Sequence, residues 1–118
     1  MQSQRLLFVE NHGTFASIVM EQFLSNYQVT RVPSVGDARE AMKASEYVVA
    51  LVDYDLDDDK GDVFVRELRA AGNDIPIIAV SSHSRGNSIL IDAGANAICS
   101  KMKFSNIGAV IEGLIATR

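Results

Sequence analysis

The spacing of apolar residues changes several times along this chain, and each change marks an element. Residues 6–9 are a short apolar run ended by Glu10 and Asn11. From Thr14 the period becomes helical: Phe15, Ile18, Val19 and Phe23 recur on one stripe, with Glu21 and Gln22 off it. Residues 29–32 alternate apolar and polar, which suits an edge strand open to water, and Pro33 closes it. A second helix is predicted from Gly36 and Asp37, with Ala38, Ala41 and Met42 facing inward. Residues 48–52 are then apolar without a break, the pattern of a parallel strand covered on both faces. That run stops at Asp53, and an acidic turn follows as far as Gly61.

The second half repeats this grammar. Phe64, Leu68 and Ala71 mark a third helix that Gly72 and Asn73 should end. Residues 75–80 read as a buried strand with Pro76 near its start, tipped by Ser81, Ser82 and His83. The polar stretch 84–87 is expected to be a mobile loop feeding a short helix over 88–93, which Gly94 ends. Residues 97–100 form the last strand, tipped by Lys101. Phe104, Ile107, Ile111, Leu114 and Ile115 give the clearest amphipathic stripe and predict the closing helix. Strand and helix thus alternate five times, which implies an α/β fold with a parallel sheet and helices on both faces.

Composition narrows the function classes. A length of 118 residues fits one domain, 1–118, and 47% hydrophobic with 22% charged residues is the profile of a globular chain. Eleven Lys and Arg against 15 Asp and Glu give a net charge of −4 without a basic run, so no footprint for nucleic acid is present. The opening apolar run is too short for a secretion signal, and no stretch approaches the ~20 apolar residues that cross a bilayer. A cytoplasmic location is expected. The single cysteine, Cys99, has strand-like flanks and reads as a small buried residue in a reducing compartment.

Four strand tips carry polar groups: Glu10 with Asn11, Asp53, Ser81, and Lys101. In a doubly wound sheet of order 2-1-3-4-5 the switch point lies between strands one and three, so Glu10, Asn11 and Asp53 would share one crevice. Two carboxylates and an amide oxygen suit Mg²⁺, which takes hard oxygen ligands. A carboxylate beside such an ion can accept a phosphoryl group, with Ser81 and Lys101 placed to bind its oxygens.

Over nearly the whole chain, from about Arg5, the sequence resembles the receiver domains of two-component response regulators, which have a flavodoxin-like fold. The resemblance rests on Glu10 and Asn11 after strand one, Asp53 after strand three, Ser81 after strand four, Lys101 after strand five, Leu56 three residues after Asp53, and Gly61 eight after it. It implies that Asp53 takes phosphate from a sensor histidine kinase, a phosphotransfer protein or a small phosphodonor. It also implies Mg²⁺ held by Asn11, Asp53 and the backbone carbonyl of Asp55, with Glu10 acting through water. Ser81 and Lys101 would engage the phosphoryl group and shift an interaction surface on the fourth helix, fifth strand and fifth helix, and the last strand and helix could also form a homodimer.

The chain departs from that pattern at several positions. Asn11 stands where an acid is usual, which removes one formal charge facing the metal and weakens Mg²⁺ binding. Asp57 and Met102 replace prolines, the second putting a cis peptide in doubt, and Ile98 replaces a switching aromatic residue. The segment between Ser81 and Lys101 is short, which points to a trimmed fourth helix. These changes keep open a second reading, a pseudo-receiver that binds a partner without phosphate. An enzyme reading, from the likeness of residues 53–56 to the start of a haloacid-dehalogenase-type motif, lacks room for the later motifs. Asp57, Asp58 and Asp59 read as a solvated acidic loop, and His12 and His83 as surface residues without metal-binding partners. No effector domain lies in these residues, which leaves a stand-alone receiver or one from a larger protein.

Overall fold

A computed structural model describes residues 4–117 of the chain. Its elements alternate as β1 (Arg5–Val9), α1 (Gly13–Phe23), β2 (Gln28–Val32), α2 (Val35–Ala44), β3 (Val49–Val52), α3 (Gly61–Ala70), β4 (Ile77–Ala79), α4 (Ser84–Ala93), β5 (Ala97–Ile98) and α5 (Ile107–Ala116), with a 3-10 segment at Lys101–Asn106 before α5. All strand pairs are parallel and the order is β2-β1-β3-β4-β5. The α/β, doubly wound, flavodoxin-like fold expected from the alternation is the one observed.

Period-two geometry of the strands splits the core into two layers. Leu6 and Phe8 of β1 point to the face covered by α1 and α5, joining Ala16, Val19, Ile107 and Ile111. Leu7 and Val9 point to the other face, against Val35, Ala38, Phe64, Val65 and Leu90 of α2, α3 and α4. Residues 49–52 are wholly buried, as an uninterrupted apolar run requires. Each buried Val or Leu among them contributes roughly 1.5–3 kcal/mol before entropy is counted.

Several elements differ from the sequence expectation. Residues 84–87 are the first turn of α4 and not a mobile loop, so the helix is a full ten residues rather than trimmed. Gly86 and Asn87 are buried there, and the packing outweighs their poor helix propensity. Phe104 belongs to the 3-10 segment, and Ala71 is exposed beyond the end of α3. On α1, Val19 of the expected stripe is buried, but Ile18 and Phe23 remain 48% and 36% exposed, and Ala16 completes the buried face. No cis peptide bond occurs among the described residues, including that before Met102.

At the far end of the sheet Arg69 of α3 ties three segments together. Its Nε and Nη2 donate to the Gly94 carbonyl at 3.0 and 2.9 Å, and its Nη1 donates to the Asn73 carbonyl at 2.9 Å. Nη2 also reaches the Asn96 side-chain oxygen at 2.9 Å. Gly94, at the end of α4, has φ 127°, and a Cβ there would lie 2.7 Å from Arg69 Cγ. Among the described residues no helix is long and apolar enough to cross a membrane.

Candidate functional site

Parallel register places the two acids side by side. Val9 pairs with Val52, so Glu10 and Asp53 are the next residues on adjacent strands. The backbone ladder continues past the strand ends: Asp53 N–H donates to the Val9 carbonyl and Glu10 N–H to the Val32 carbonyl, both at 2.9 Å. The crevice between β1 and β3 is the switch point of the sheet, and both side chains enter it.

Glu10 is fully buried and Asp53 is 5% exposed. A buried charge needs a partner, and Lys101 supplies it for both. Its Nζ donates to Asp53 Oδ2 at 2.9 Å and to Glu10 Oε2 at 3.0 Å. Glu10 Oε1 is as close to the ammonium, 2.9 Å, but lies outside hydrogen-bond geometry and has no donor among the described residues. Distance makes that contact an ion pair, while geometry leaves the oxygen able to accept another donor or a cation.

This arrangement shifts both Glu10 and Lys101. Burial pushes the Glu10 carboxyl up, and the negative Asp53 adds to this; Lys101 and the His12 N–H offset only part. Burial alone would lower Lys101, but its hydrogen bonds to Asp53 and Glu10 outweigh it and hold the ammonium above its ordinary range.

Around this triad the loops are held by specific contacts. Asp53 Oδ1 accepts the Tyr54 N–H at 2.8 Å. A Cβ on Gly61 would lie 1.9 Å from the Asp53 carbonyl oxygen, so only glycine lets α3 start this close to the end of β3. Ser81 is 2% exposed, and its Oγ accepts the His83 N–H at 3.1 Å. Asn11 is exposed at the tip of β1. Asp55 is exposed and its carboxylate pairs with Lys60, leaving the role proposed for it to its backbone carbonyl.

Asp58 and His12 are exposed, as expected, but each also makes specific contacts. Asp58 is not merely solvated: Oδ1 accepts the Val35 N–H at 2.8 Å and Oδ2 the Gly36 N–H at 2.9 Å, which caps α2 from another loop. His12 is the N-cap of α1, its Nδ1 accepting the Phe15 N–H at 3.1 Å, and its own N–H donates to Glu10 Oε2. His83 is exposed, as expected. Cys99 is buried, and burial pushes its thiol up, away from reactivity.

Sequence reading missed two residues. Asn87, buried on α4, accepts the Ser81 N–H at 2.9 Å and donates to the Ser81 carbonyl at 3.0 Å. Phe15, read only as part of a helix stripe, sets its ring 4.9 Å from the Lys101 ammonium. Neither carries a signal in one sequence, since an asparagine near a strand tip usually faces water and a phenylalanine usually fills core.

The donor set fits a hard divalent cation: two carboxylates, an exposed amide and backbone carbonyls, and buried Glu10 Oε1 accepts no hydrogen bond among the described residues. Among the described residues no three His, Cys, Asp or Glu side chains cluster for a metal, so such an ion would depend on amide and carbonyl oxygens. An open hollow of about 560 Å³ near Val48 and Ile75 lies at the other end of the sheet and holds none of these residues.

Paired acids and a lysine thus meet at the switch point of a doubly wound 2-1-3-4-5 sheet. A model of the response regulator receiver domain matches residues 6–112, and the chain belongs to that family, whose members work with histidine kinases or phosphotransfer partners. It is a receiver domain of the two-component type. Among solved structures it is similar to the receiver domain of the sensor histidine kinase PA1611 from Pseudomonas aeruginosa PAO1, solved with a magnesium ion coordinated in its active site cleft. The identity is 26%, the TM-score 0.86, and 98% of this chain and 99% of that one are covered. The receiver domain of the Francisella response regulator 1452 aligns at 15% identity and TM-score 0.85, covering 97% and 98% of the two chains. TrrA of Thermotoga maritima, in complex with Mg²⁺ and BeF, aligns at 18% and 0.84, covering 94% and 98%. Comparison with curated proteins gives no match.

Proposed function

We propose that Asp53 is a phosphoacceptor, charged by a histidine kinase or phosphotransfer partner, and that Ser81 and Lys101 hold the phosphoryl group. The observation that carries this reading is the buried Asp53 carboxylate sharing the Lys101 ammonium with Glu10 at the switch point. A carboxylate oxygen of Asp53 attacks phosphorus, forming a P–O bond as the P–N bond to the donor imidazole breaks; the electron pair stays on the imidazole nitrogen, which takes a proton. The Lys101 ammonium then moves from carboxylate to phosphoryl oxygen, and the Ser81 hydroxyl donates to a second. Asn11, Asp53, the Asp55 carbonyl and, through water, Glu10 would hold magnesium. When bound, magnesium would draw negative charge from the phosphoryl oxygens.

The test is intact mass after incubation with Mg²⁺ and acetyl phosphate. One added phosphoryl group on wild type and none on Asp53→Asn is the expected result. An unmodified wild type, where another receiver is labelled, favours the pseudo-receiver instead. What supports that second reading is Asn11, an exposed amide at the tip of β1 where the family pattern has an acid.

A further inference from the structure

The charge triad has a fourth wall. The Lys101 ammonium meets Glu10 and Asp53 on one side and lies 4.9 Å from the centroid of the Phe15 ring on another. Phe15 is itself held in place: Phe104 meets it edge-on at 5.5 Å and is buried against Phe8 at 6.0 Å. The Lys101 side chain is only 17% exposed, so water supplies few of the partners an ammonium needs. An aromatic face attracts a cation through its quadrupole, and the attraction grows as water is removed. Leucine would fill much of the same space without that attraction.

We infer that Phe15 is a positioning residue whose ring face holds the Lys101 ammonium across Glu10 and Asp53, so that the chain's own cation occupies the crevice until a divalent cation displaces it. Asn11 gives this clamp its weight. With one expected carboxylate absent from the mouth of the site, the two buried acids are the main source of negative charge, and Lys101 already engages both. Phe15 thereby sets how readily the site opens to metal. The inference deepens the receiver reading, but only its magnesium arm rests on it.

The experiment uses the full chain with ¹⁵N-labelled lysine, free of metal, and follows the ζ-ammonium signal of Lys101, assigned by its loss in Lys101→Arg. Phe15→Leu is expected to speed exchange of those protons by about three- to thirtyfold, and Phe15→Tyr, which keeps the ring, to restore slow exchange. Backbone amide spectra check that the sheet is unaltered. In a Mg²⁺ titration read by the same spectra, Phe15→Leu should bind the ion about three- to tenfold more tightly than wild type. Unchanged exchange in Phe15→Leu, or Phe15→Tyr behaving like Phe15→Leu, overturns the clamp. Faster exchange with unmoved Mg²⁺ affinity overturns the competition. If no variant binds Mg²⁺, the receiver chemistry fails while the metal-free arm still decides the clamp.

Discussion

The Asn87 carboxamide brackets Ser81, accepting its N–H at 2.9 Å and donating to its carbonyl at 3.0 Å, with both residues buried. Two backbone groups in a water-free place depend on one side chain. Asn87→Ala strands both and should cost about 2–4 kcal/mol, read as a lower urea midpoint. If Ser81 holds phosphate as proposed, the same variant should also change the lifetime of the acyl phosphate.

Gly61→Ala should be at least as damaging. Its Cβ would sit 1.9 Å from the Asp53 carbonyl oxygen, and that neighbour is backbone in a buried strand tip. Relief requires α3 or the end of β3 to move, at a cost on the order of 3 kcal/mol or more. Urea unfolding together with the Asp53 backbone amide shift would report both effects.

The Asp58 cap makes a pH-dependent prediction. Hydrogen bonds from the Gly36 and Val35 N–H groups hold its carboxyl below the ordinary range. A depressed acid stabilises the fold above its unfolded pKa, about 3.9, and loses that contribution as pH falls through the lower folded value. The gap in urea midpoint between wild type and Asp58→Ala should therefore be constant above about pH 5 and close below about pH 4.

Tyr27 behaves in the opposite sense. Burial, with its hydrogen bond to Glu112, pushes its phenol up to about 12. A raised group contributes fully below its unfolded pKa, about 10, and the contribution is lost as pH rises through the folded value. Tyr27→Phe should cost about 1 kcal/mol near neutrality, with the gap closing in alkali. The tyrosinate absorbance near pH 12 should lose one component.

Asn11→Asp restores a carboxylate at the mouth of the site. Unit charges ~4 Å apart attract by ~4 kcal/mol at an effective dielectric of 20, a gross figure that desolvation and screening reduce. Magnesium affinity should rise by at least about tenfold, measured by calorimetry.

What could be read in advance follows physical lines. Glu10, Asp53, Ser81 and Lys101 were visible because each ends an apolar strand, and strand tips share one edge of a parallel sheet. Asp58 was hidden because its partners, Val35 and Gly36, lie 23 and 22 residues away at the start of α2. The start of α4 was misplaced because Gly86 and Asn87 are poor helix formers, and only their burial near Ser81 makes them helical. The Phe15 contact depends on how a lysine after β5 reaches back to α1, which no local pattern encodes.

Arg69 gives the molecule a mechanical asymmetry. Because it fastens the Gly94 carbonyl with two donors, α4 is pinned at its carboxyl end, while its amino end rests on Ser81 through Asn87. Ten residues span roughly 15 Å, so a tilt of about 10° pivoting at Gly94 would carry Ser84 some ~3 Å. The firmer hold on α4 thus lies far from the acids, and the end beside them depends on how Ser81 is held.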